Sequence, residues 1–106
     1  MTILTELYNQ INDRKTTPKE GSYTNYLFDR GLDKILKKVG EETTEVVIAA
    51  KNNDNAELTS ELADLTYHVL VLLAEKGLTP DDIARELEKR EGKISVTKDR
   101  KPIDEL

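Results

Sequence analysis

The sequence predicts an all-α protein in which four to five helices pack around a central antiparallel helical hairpin. Apolar residues recur at helical spacing along most of the chain, and no segment alternates apolar and polar residues as a strand would. The polar residues 52–55 separate the two longest helical stretches, and so short a link implies antiparallel neighbours. A chain of 106 residues buries a limited share of its surface, so we expect a dimeric helical bundle.

The N-terminal third predicts one helix and a second, shorter helical segment. A first helix over about residues 2–13 follows from apolar residues at helical spacing, namely Ile3, Leu4, Leu7, Tyr8 and Ile11. Residues 14–21 form a polar connection that contains Pro18, and residues 22–29 have room for a turn of helix.

The central hairpin is predicted from two long stretches. The second helix covers about residues 32–52, and its apolar stripe consists of Leu32, Ile35, Leu36, Val39, Val46 and Ala50. Asn52 and Asn53 supply the stop, because Asn tolerates the left-handed conformation that ends helices. Asp54, with Glu57 three residues later, begins a third helix over about residues 55–76, which Gly77 ends.

The C-terminal part begins with a strong helix-start signal. Thr79 is a capping residue, Pro80 suits the first helical position, and Asp81 and Asp82 favour the positive end of the helix dipole. This fourth long helix should run to about residue 91. We therefore expect one all-α domain over residues 1–91, followed by a polar surface tail over residues 92–106.

Composition excludes several classes of protein. The net charge is −5 and no basic stripe is interleaved with aromatic residues, so nucleic-acid binding is disfavoured. The absence of cysteine excludes disulfides and thiolate zinc sites. The longest apolar stretch, residues 62–74, contains Asp64 and His68 and is too short to span a bilayer. With no basic-then-apolar leader at residues 1–14, we expect a cytoplasmic protein without membrane contact.

Four acids stand in mirror positions about the predicted turn. Glu42 and Glu45 precede Asn53 by eleven and eight residues, and Glu61 and Asp64 follow it by eight and eleven. In a folded-back hairpin both pairs would lie about 12 to 17 Å from the bend, with Glu45 level with Glu61 and Glu42 level with Asp64. Four like charges at one height repel each other, which favours a cation between them.

The character of the third helix strengthens this interpretation. It is apolar nearly all round over residues 62–74, yet Glu61, Asp64 and His68 share one side of it. An ionised carboxylate in such surroundings is costly unless it is paired or bound to metal. Oxygen ligands without thiolate favour Mg²⁺, with Mn²⁺ as a substitute. The alternative is that the E-x-x-E and E-x-x-D pairs only form surface salt bridges.

The residues beside the acids each have more than one possible role. Lys34 and Lys38 lead into the acidic patch and are candidates for phosphate contacts or simply solvated side chains. Gly40 either permits a ligand or a neighbouring helix to approach closely, or it is simply tolerated. In both cases it lowers the stability of the helix by about 1 kcal/mol relative to Ala. For His68 we favour a structural role, bonded to a neighbour such as Asp64, over metal ligation.

Two longer runs carry a family resemblance. Residues 21–52 (G-S-Y-T-N-Y-L-F-D-R-G-L-D-K-I-L-K-K-V-G-E-E-T-T-E-V-V-I-A-A-K-N) and residues 61–73 (E-L-A-D-L-T-Y-H-V-L-V-L-L) resemble the phosphoribosyl-ATP pyrophosphatase family. This family belongs to the all-α nucleotide pyrophosphohydrolases related to MazG. The similarity extends over about residues 4–90, and its most specific parts are S-Y-T and K-K-V-G-E-E-x-x-E.

The resemblance implies an all-helical, usually dimeric, Mg²⁺-dependent enzyme of histidine biosynthesis. Such an enzyme removes pyrophosphate from phosphoribosyl-ATP and leaves phosphoribosyl-AMP. By position, the implied metal ligands are Glu42, Glu45, Glu61 and Asp64. Glu41 completes the paired glutamates, and Glu41 or Glu45 is the expected base for the attacking water.

The polar run before the acids supplies the candidates for substrate binding. The expected phosphate and ribose contacts are Ser22, Tyr23, Thr24, Arg30, Lys34 and Lys38. Tyr23 and Tyr26 have an alternative role as half-buried packing residues. Thr43 departs from the Ala of many family members, and the tail lies outside the shared core.

Two other functions are compatible with the same sequence. A housecleaning pyrophosphohydrolase acting on other nucleoside triphosphates would use the same metal site. A non-catalytic helical dimerisation module would carry these acids only for solubility. Turnover of phosphoribosyl-ATP, and its loss on Glu45→Gln or Asp64→Asn, separates these alternatives.

Overall fold

A computed structural model describes residues 2–91 of the chain, and these residues fold into five α-helices without a strand. In chain order the helices are α1 (Ile3–Thr16), α2 (Tyr23–Arg30), α3 (Leu32–Lys51), α4 (Asn55–Glu75) and α5 (Pro80–Arg90). The all-α prediction is therefore confirmed. The expected surface tail, residues 92–106, lies outside the described residues.

The two N-terminal helices are longer than the sequence predicted. The predicted first helix stopped near Asp13, but α1 continues to Thr16, with Arg14 and Lys15 in a last turn where the helix dipole favours positive charge. The segment expected to hold one turn forms the eight-residue helix α2. Its start is fixed by Ser22, whose hydroxyl accepts the backbone N–H of Asn25 at 3.2 Å.

The hairpin of α3 and α4 forms as predicted. Asn53 has a φ of 57°, the left-handed conformation expected for an asparagine stop. Asp54 then caps α4 by accepting the backbone N–H of Glu57 at 3.0 Å. The two helices make the most extensive helix–helix contact in the described part of the chain. Their short link therefore holds two long, antiparallel helices side by side.

The hydrophobic core lies at the end of the hairpin that is far from this turn. Its buried members are Tyr8, Ile11, Leu27, Ile35, Leu70, Val71, Leu73 and Ala74. Tyr8 and Ile11 of α1 and Leu27 of α2 pack there against the beginning of α3 and the end of α4. The acids on α3 and α4 therefore lie between a packed core and the turn.

The turn side of the hairpin carries apolar side chains without such cover. Val47 is 58% exposed, Ile48 49% and Leu62 43%. Val47 and Ile48 follow the acids on α3, and Leu62 lies between Glu61 and Asp64 on α4.

Two hydrogen bonds from α1 hold the end of α4 and the loop after it. The Tyr8 hydroxyl donates to the carbonyl of Leu78 at 2.5 Å, and the Lys15 ammonium donates to the carbonyl of Ala74 at 2.8 Å. These bonds tie α1 to the last turn of α4 and to the loop between α4 and α5. Within residues 2–91, none of the helices is long and apolar enough to cross a membrane.

Helix α5 begins with a complete capping box. The backbone N–H of Asp82 donates to the Thr79 hydroxyl, and the Asp82 carboxylate accepts the backbone N–H of Thr79 at 2.8 Å. Arg85 forms an ion pair with the same carboxylate. These contacts, led by the bond from the Thr79 backbone, hold the pKa of Asp82 below its ordinary value of 3.8.

We expect Asp82→Asn to lower the free energy of unfolding at neutral pH, and the loss should shrink in acid. A lowered pKa means that the stabilisation is fully present above pH 3.8 and disappears as the pH falls through the folded value. Urea unfolding of both proteins by circular dichroism at a series of pH values measures this. Asp81→Asn is the control, since Asp81 lies in the same turn without the capping bond. A difference that stays constant down to low pH would contradict the assignment.

Candidate metal centre

Three acids from both arms of the hairpin meet at one point. Glu42 on α3 and Glu61 and Asp64 on α4 each place a carboxylate oxygen within 4.8 Å of the other two. Glu61 and Asp64 are three residues apart, so they lie on one face of α4. Oxygens bound to one Mg²⁺ at about 2.0–2.1 Å lie at most about 4.2 Å apart, so a small side-chain movement would close this group around the ion.

The charge of Glu61 is disfavoured in this arrangement. Burial raises the pKa of Glu61 above its ordinary value, and so do a hydrogen bond with the Glu42 side chain and repulsion from Glu45, Asp64 and Glu42. Burial and the neighbouring acids therefore act in the same direction, against the charged form of Glu61.

Glu45 does not belong to the group of three, although the sequence placed it there. It lies near enough to Glu61 to raise that residue's pKa, but its carboxylate is not among the oxygens that lie within 4.8 Å of one another. On a helical wheel Glu45 is rotated about 60° away from Glu42, farther from the apolar stripe that faces α4. The mirror argument considered height along the hairpin and not this rotation, and Glu45 as a metal ligand stays a prediction.

Lys38 borders the acids. Its ammonium lies 3.7 Å from a carboxylate oxygen of Glu42 and 4.0 Å from one of Glu41. Lys38 is therefore part of the site's charge balance. A phosphate ligand would give this ammonium another anionic partner.

Two of the predicted substrate contacts lie against an aromatic ring. The guanidinium carbon of Arg30 is 5.7 Å from the ring centre of Tyr26, and the ammonium of Lys34 is 6.0 Å from it. Tyr26 also stacks on Tyr23, with ring centres 6.0 Å apart. These side chains form a cationic and aromatic surface on α2 and the start of α3.

The S-Y-T segment fastens α2 to α4. Ser22 caps α2, the Tyr23 hydroxyl shares a hydrogen bond of 3.0 Å with Nε2 of His68, and the hydroxyls of Thr24 and Tyr67 are hydrogen-bonded. Each of the three side chains therefore has a partner within the protein. The sequence analysis did not identify Tyr67, because nothing in the pattern of an apolar helix distinguishes a tyrosine that bonds to another helix from a core tyrosine.

His68 is buried, at 5% exposure. Its Nδ1 lies 2.7 Å from the backbone carbonyl of Asp64. The structural role expected for this histidine agrees with that contact, and the bond goes to the backbone of Asp64. The carboxylate of Asp64 remains free to join Glu42 and Glu61.

The hydrogen bonds of Tyr23 and Thr24 with His68 and Tyr67 form an α2–α4 clamp. Tyr23 connects this clamp with the acids. Burial raises the pKa of the Tyr23 hydroxyl most, Lys38 opposes the rise, and Glu42 adds to it. The hydroxyl is thus close enough to both charged groups to respond to them. A Cβ added at Gly40 would meet no atom within 4 Å, so no helix among the described residues requires glycine there.

Two open cavities border the loop between α1 and α2. The smaller, of about 300 Å³, is lined by Ser22, Thr24 and Tyr67 among others, and the larger, of about 760 Å³, is lined by Ser22, Tyr23 and Tyr26 among others. All three residues of the S-Y-T segment therefore border space that a ligand can enter. Neither cavity is lined by the three acids.

Comparison with known proteins agrees with these features. Residues 4–91 match the family described as phosphoribosyl-ATP pyrophosphohydrolase. A protein of Listeria welshimeri is 68% identical over 104 residues, and one of Listeria innocua is 70% identical over 104 residues, covering 98% of this chain and 100% of each relative. A third, of Lactiplantibacillus plantarum, is 65% identical over 101 residues, or 95% of both chains.

All three of these relatives are named phosphoribosyl-ATP pyrophosphatase. The match covers α1 from its second residue, the whole of α2 to α5, and all three converging acids. The chain belongs to the phosphoribosyl-ATP pyrophosphohydrolase family.

Proposed function

We propose that this protein hydrolyses phosphoribosyl-ATP to phosphoribosyl-AMP and pyrophosphate, a step of histidine biosynthesis. The observation that carries the proposal is the convergence of Glu42, Glu61 and Asp64 within 4.8 Å, in a chain that matches this family over residues 4–91. The triphosphate substrate is polyanionic, so a site made of acids needs a cation to hold it.

The donor set fits Mg²⁺, with Mn²⁺ as a substitute. All three converging groups are carboxylates, the hard oxygen ligands that these ions prefer. The pKa of Glu61 is raised first by burial and then by the neighbouring acids, which supports a cation as their partner. We propose Glu42, Glu61 and Asp64 as ligands, with Glu45 approaching as a fourth when the ion is present.

When bound, the ion would supply positive charge to the phosphate oxygens and acidify a nucleophilic water. The protein's own residues then position the reactants. Glu41 and Glu45 are exposed beside the three ligands. Either can accept the proton of the attacking water.

The proposed substrate contacts surround the same site. Lys38 would exchange part of its attraction to Glu41 and Glu42 for a phosphate oxygen. Arg30 and Lys34 offer further positive charge beside Tyr26. Ser22, Tyr23 and Thr24 border the adjoining cavities.

We also propose that the protein is a homodimer that pairs through the turn side of the hairpin. The exposed apolar residues Val47, Ile48 and Leu62 lie there, and burying such side chains stabilises association. The cytoplasmic location expected from the sequence stays a prediction.

Asp64→Asn should reduce turnover of phosphoribosyl-ATP by at least roughly 100-fold, because losing even an outer-shell partner of a metal costs up to that much. The substitution keeps the size of the side chain and removes its charge, so the helical circular dichroism spectrum should not change. A coupled assay of pyrophosphate release measures turnover, with other nucleoside triphosphates run beside phosphoribosyl-ATP.

The matched control is Glu88→Gln, which neutralises an exposed acid on α5 and should leave turnover unchanged. Wild-type protein that ignores phosphoribosyl-ATP but hydrolyses another triphosphate would assign it to the housecleaning class. Full activity of the Asp64 variant would refute the metal site.

Glu61→Gln should raise the melting temperature in metal-free buffer while it abolishes turnover. The folded protein disfavours the charge of Glu61, so removing that charge removes repulsion. Added Mg²⁺ should then raise the melting temperature of the wild type and have little effect on the variant, since a ligand stabilises only the state that binds it. Scanning fluorimetry with and without MgCl₂ measures both effects, and a metal-free melting temperature below wild type would contradict the argument.

Val47→Lys should shift the protein from dimer toward monomer, because it places a charge among apolar side chains that pairing would bury. Light scattering after size exclusion measures the molar mass. Ile3→Lys is the control, since Ile3 is 73% exposed on α1, away from the turn side of the hairpin. Equal molar masses for wild type and the Val47 variant would exclude this face as the contact.

A further inference from the structure

The hydrogen bonds that join Asp64, His68 and Tyr23 have a fixed direction. The backbone carbonyl of Asp64 can only accept, so Nδ1 of His68 carries the hydrogen in their 2.7 Å contact. A neutral imidazole then offers an acceptor at Nε2, and the Tyr23 hydroxyl lies 3.0 Å from that atom. Tyr23 must therefore donate its proton to His68.

The surroundings of His68 fit this arrangement of donor and acceptor. The ring is 5% exposed, and none of the ion pairs among residues 2–91 involves it. Each ring nitrogen instead faces one uncharged oxygen, the carbonyl of Asp64 at Nδ1 and the hydroxyl of Tyr23 at Nε2. The direction of the chain, from Tyr23 through His68 to the carbonyl of Asp64, then follows.

The Tyr23 oxygen is left as an acceptor. Its single hydrogen is engaged by His68, while lone-pair capacity on the oxygen remains. The residue is 45% exposed and borders the larger cavity. Phosphate oxygens are themselves acceptors, so this oxygen cannot serve as a phosphate contact while His68 holds its proton.

We propose that Tyr23 accepts a hydrogen bond from a sugar hydroxyl of the nucleotide, and that His68 is the positioning residue that gives the Tyr23 oxygen this role. The inference rests on the proposed function for the identity of the substrate. It adds that the site distinguishes a ribonucleotide from its deoxy analogue.

The proposed substrate carries three sets of donors that could meet this oxygen, namely the hydroxyls of the ribose that bears the triphosphate, the hydroxyls of the added phosphoribosyl group, and the nitrogen on C6 of adenine. The Tyr23 hydroxyl bonds to His68, whose other ring nitrogen bonds to the backbone carbonyl of Asp64, and Asp64 belongs to the group that would hold the phosphates through the metal. The first ribose is attached directly to the α-phosphate, whereas the other two sets of donors lie beyond it, on the base. The hydroxyl is therefore the donor expected next to the acids.

The test compares AMP, 2′-deoxy-AMP, 3′-deoxy-AMP and IMP as ligands of the full chain in the presence of MgCl₂, by titration calorimetry. Wild type should bind AMP roughly three- to tenfold more tightly than one of the two deoxy forms, the effect of a single neutral hydrogen bond. In Tyr23→Phe, which keeps the ring and its stacking on Tyr26, this preference should vanish. IMP, which lacks the amino group, should bind wild type as AMP does.

Tyr67→Phe is the matched control, because it breaks the neighbouring bond to Thr24 in the same α2–α4 clamp and leaves Tyr23 intact. It should keep the ribose preference even where it lowers the melting temperature. In His68→Phe the Tyr23 hydroxyl is free to turn, so the preference should fall between those of wild type and Tyr23→Phe.

The inference is overturned if wild type binds both deoxy forms as tightly as AMP, or if the preference for AMP survives in Tyr23→Phe. It is likewise overturned if Tyr67→Phe abolishes the preference, or if IMP binds more weakly by the same factor. A full preference in His68→Phe removes the positioning role. Failure of the proposed function is a separate result, namely wild-type protein that does not turn over phosphoribosyl-ATP.

Discussion

Repulsion among acids that a helical hairpin forces together is the constraint on which this structure depends. Glu42 approaches Glu61 and Asp64 only because α3 and α4 lie side by side, and the link between them is three residues, Asn52, Asn53 and Asp54. The left-handed Asn53 and the capping Asp54 hold that geometry without belonging to the group of three acids. The free energy that offsets the repulsion comes from the hydrophobic core, where α1 and α2 pack against the ends of α3 and α4 that are far from the turn.

The arrangement of α1 and α2 follows from the same requirement. Tyr8 and Lys15 of α1 satisfy carbonyls at and just beyond the end of α4, and Tyr23 and Thr24 of α2 bond to side chains of α4. Helix α4 is thus held from two sides at and beyond Asp64. These contacts fix α4 in the position that brings the carboxylates of Glu61 and Asp64 close to Glu42 on α3.

Much of the fold was readable from local signals. Asn53, Gly77 and the Thr79–Pro80 start each act through backbone chemistry within a few residues, so the hairpin and α5 ended close to where the sequence placed them. The length of α2 could not be predicted in this way, because its apolar contacts come from other helices. Its cap, Ser22, was noted in the sequence but was interpreted as a substrate contact.

The candidate site was predictable where spacing along the helix decides the outcome and less so where rotation does. Glu61 and Asp64 share a face of α4 by their spacing. On a helical wheel of α3, Glu42 lies nearest the apolar stripe and Glu45 is rotated about 60° from it, a difference that the count of residues from the bend does not include. The hydrogen bond between Thr24 and Tyr67 depends on the packing of α2 on α4, which residue spacing along the sequence does not reveal.

The confinement of the core to one end of the hairpin has a consequence for cooperativity. Segments with few buried contacts open locally at a smaller free energy than the whole molecule, so the half of α3 and α4 near Asn53 should exchange its amide hydrogens sooner than the half around Ile35 and Val71. Ligands that bridge the two arms would enlarge the unit that unfolds as one.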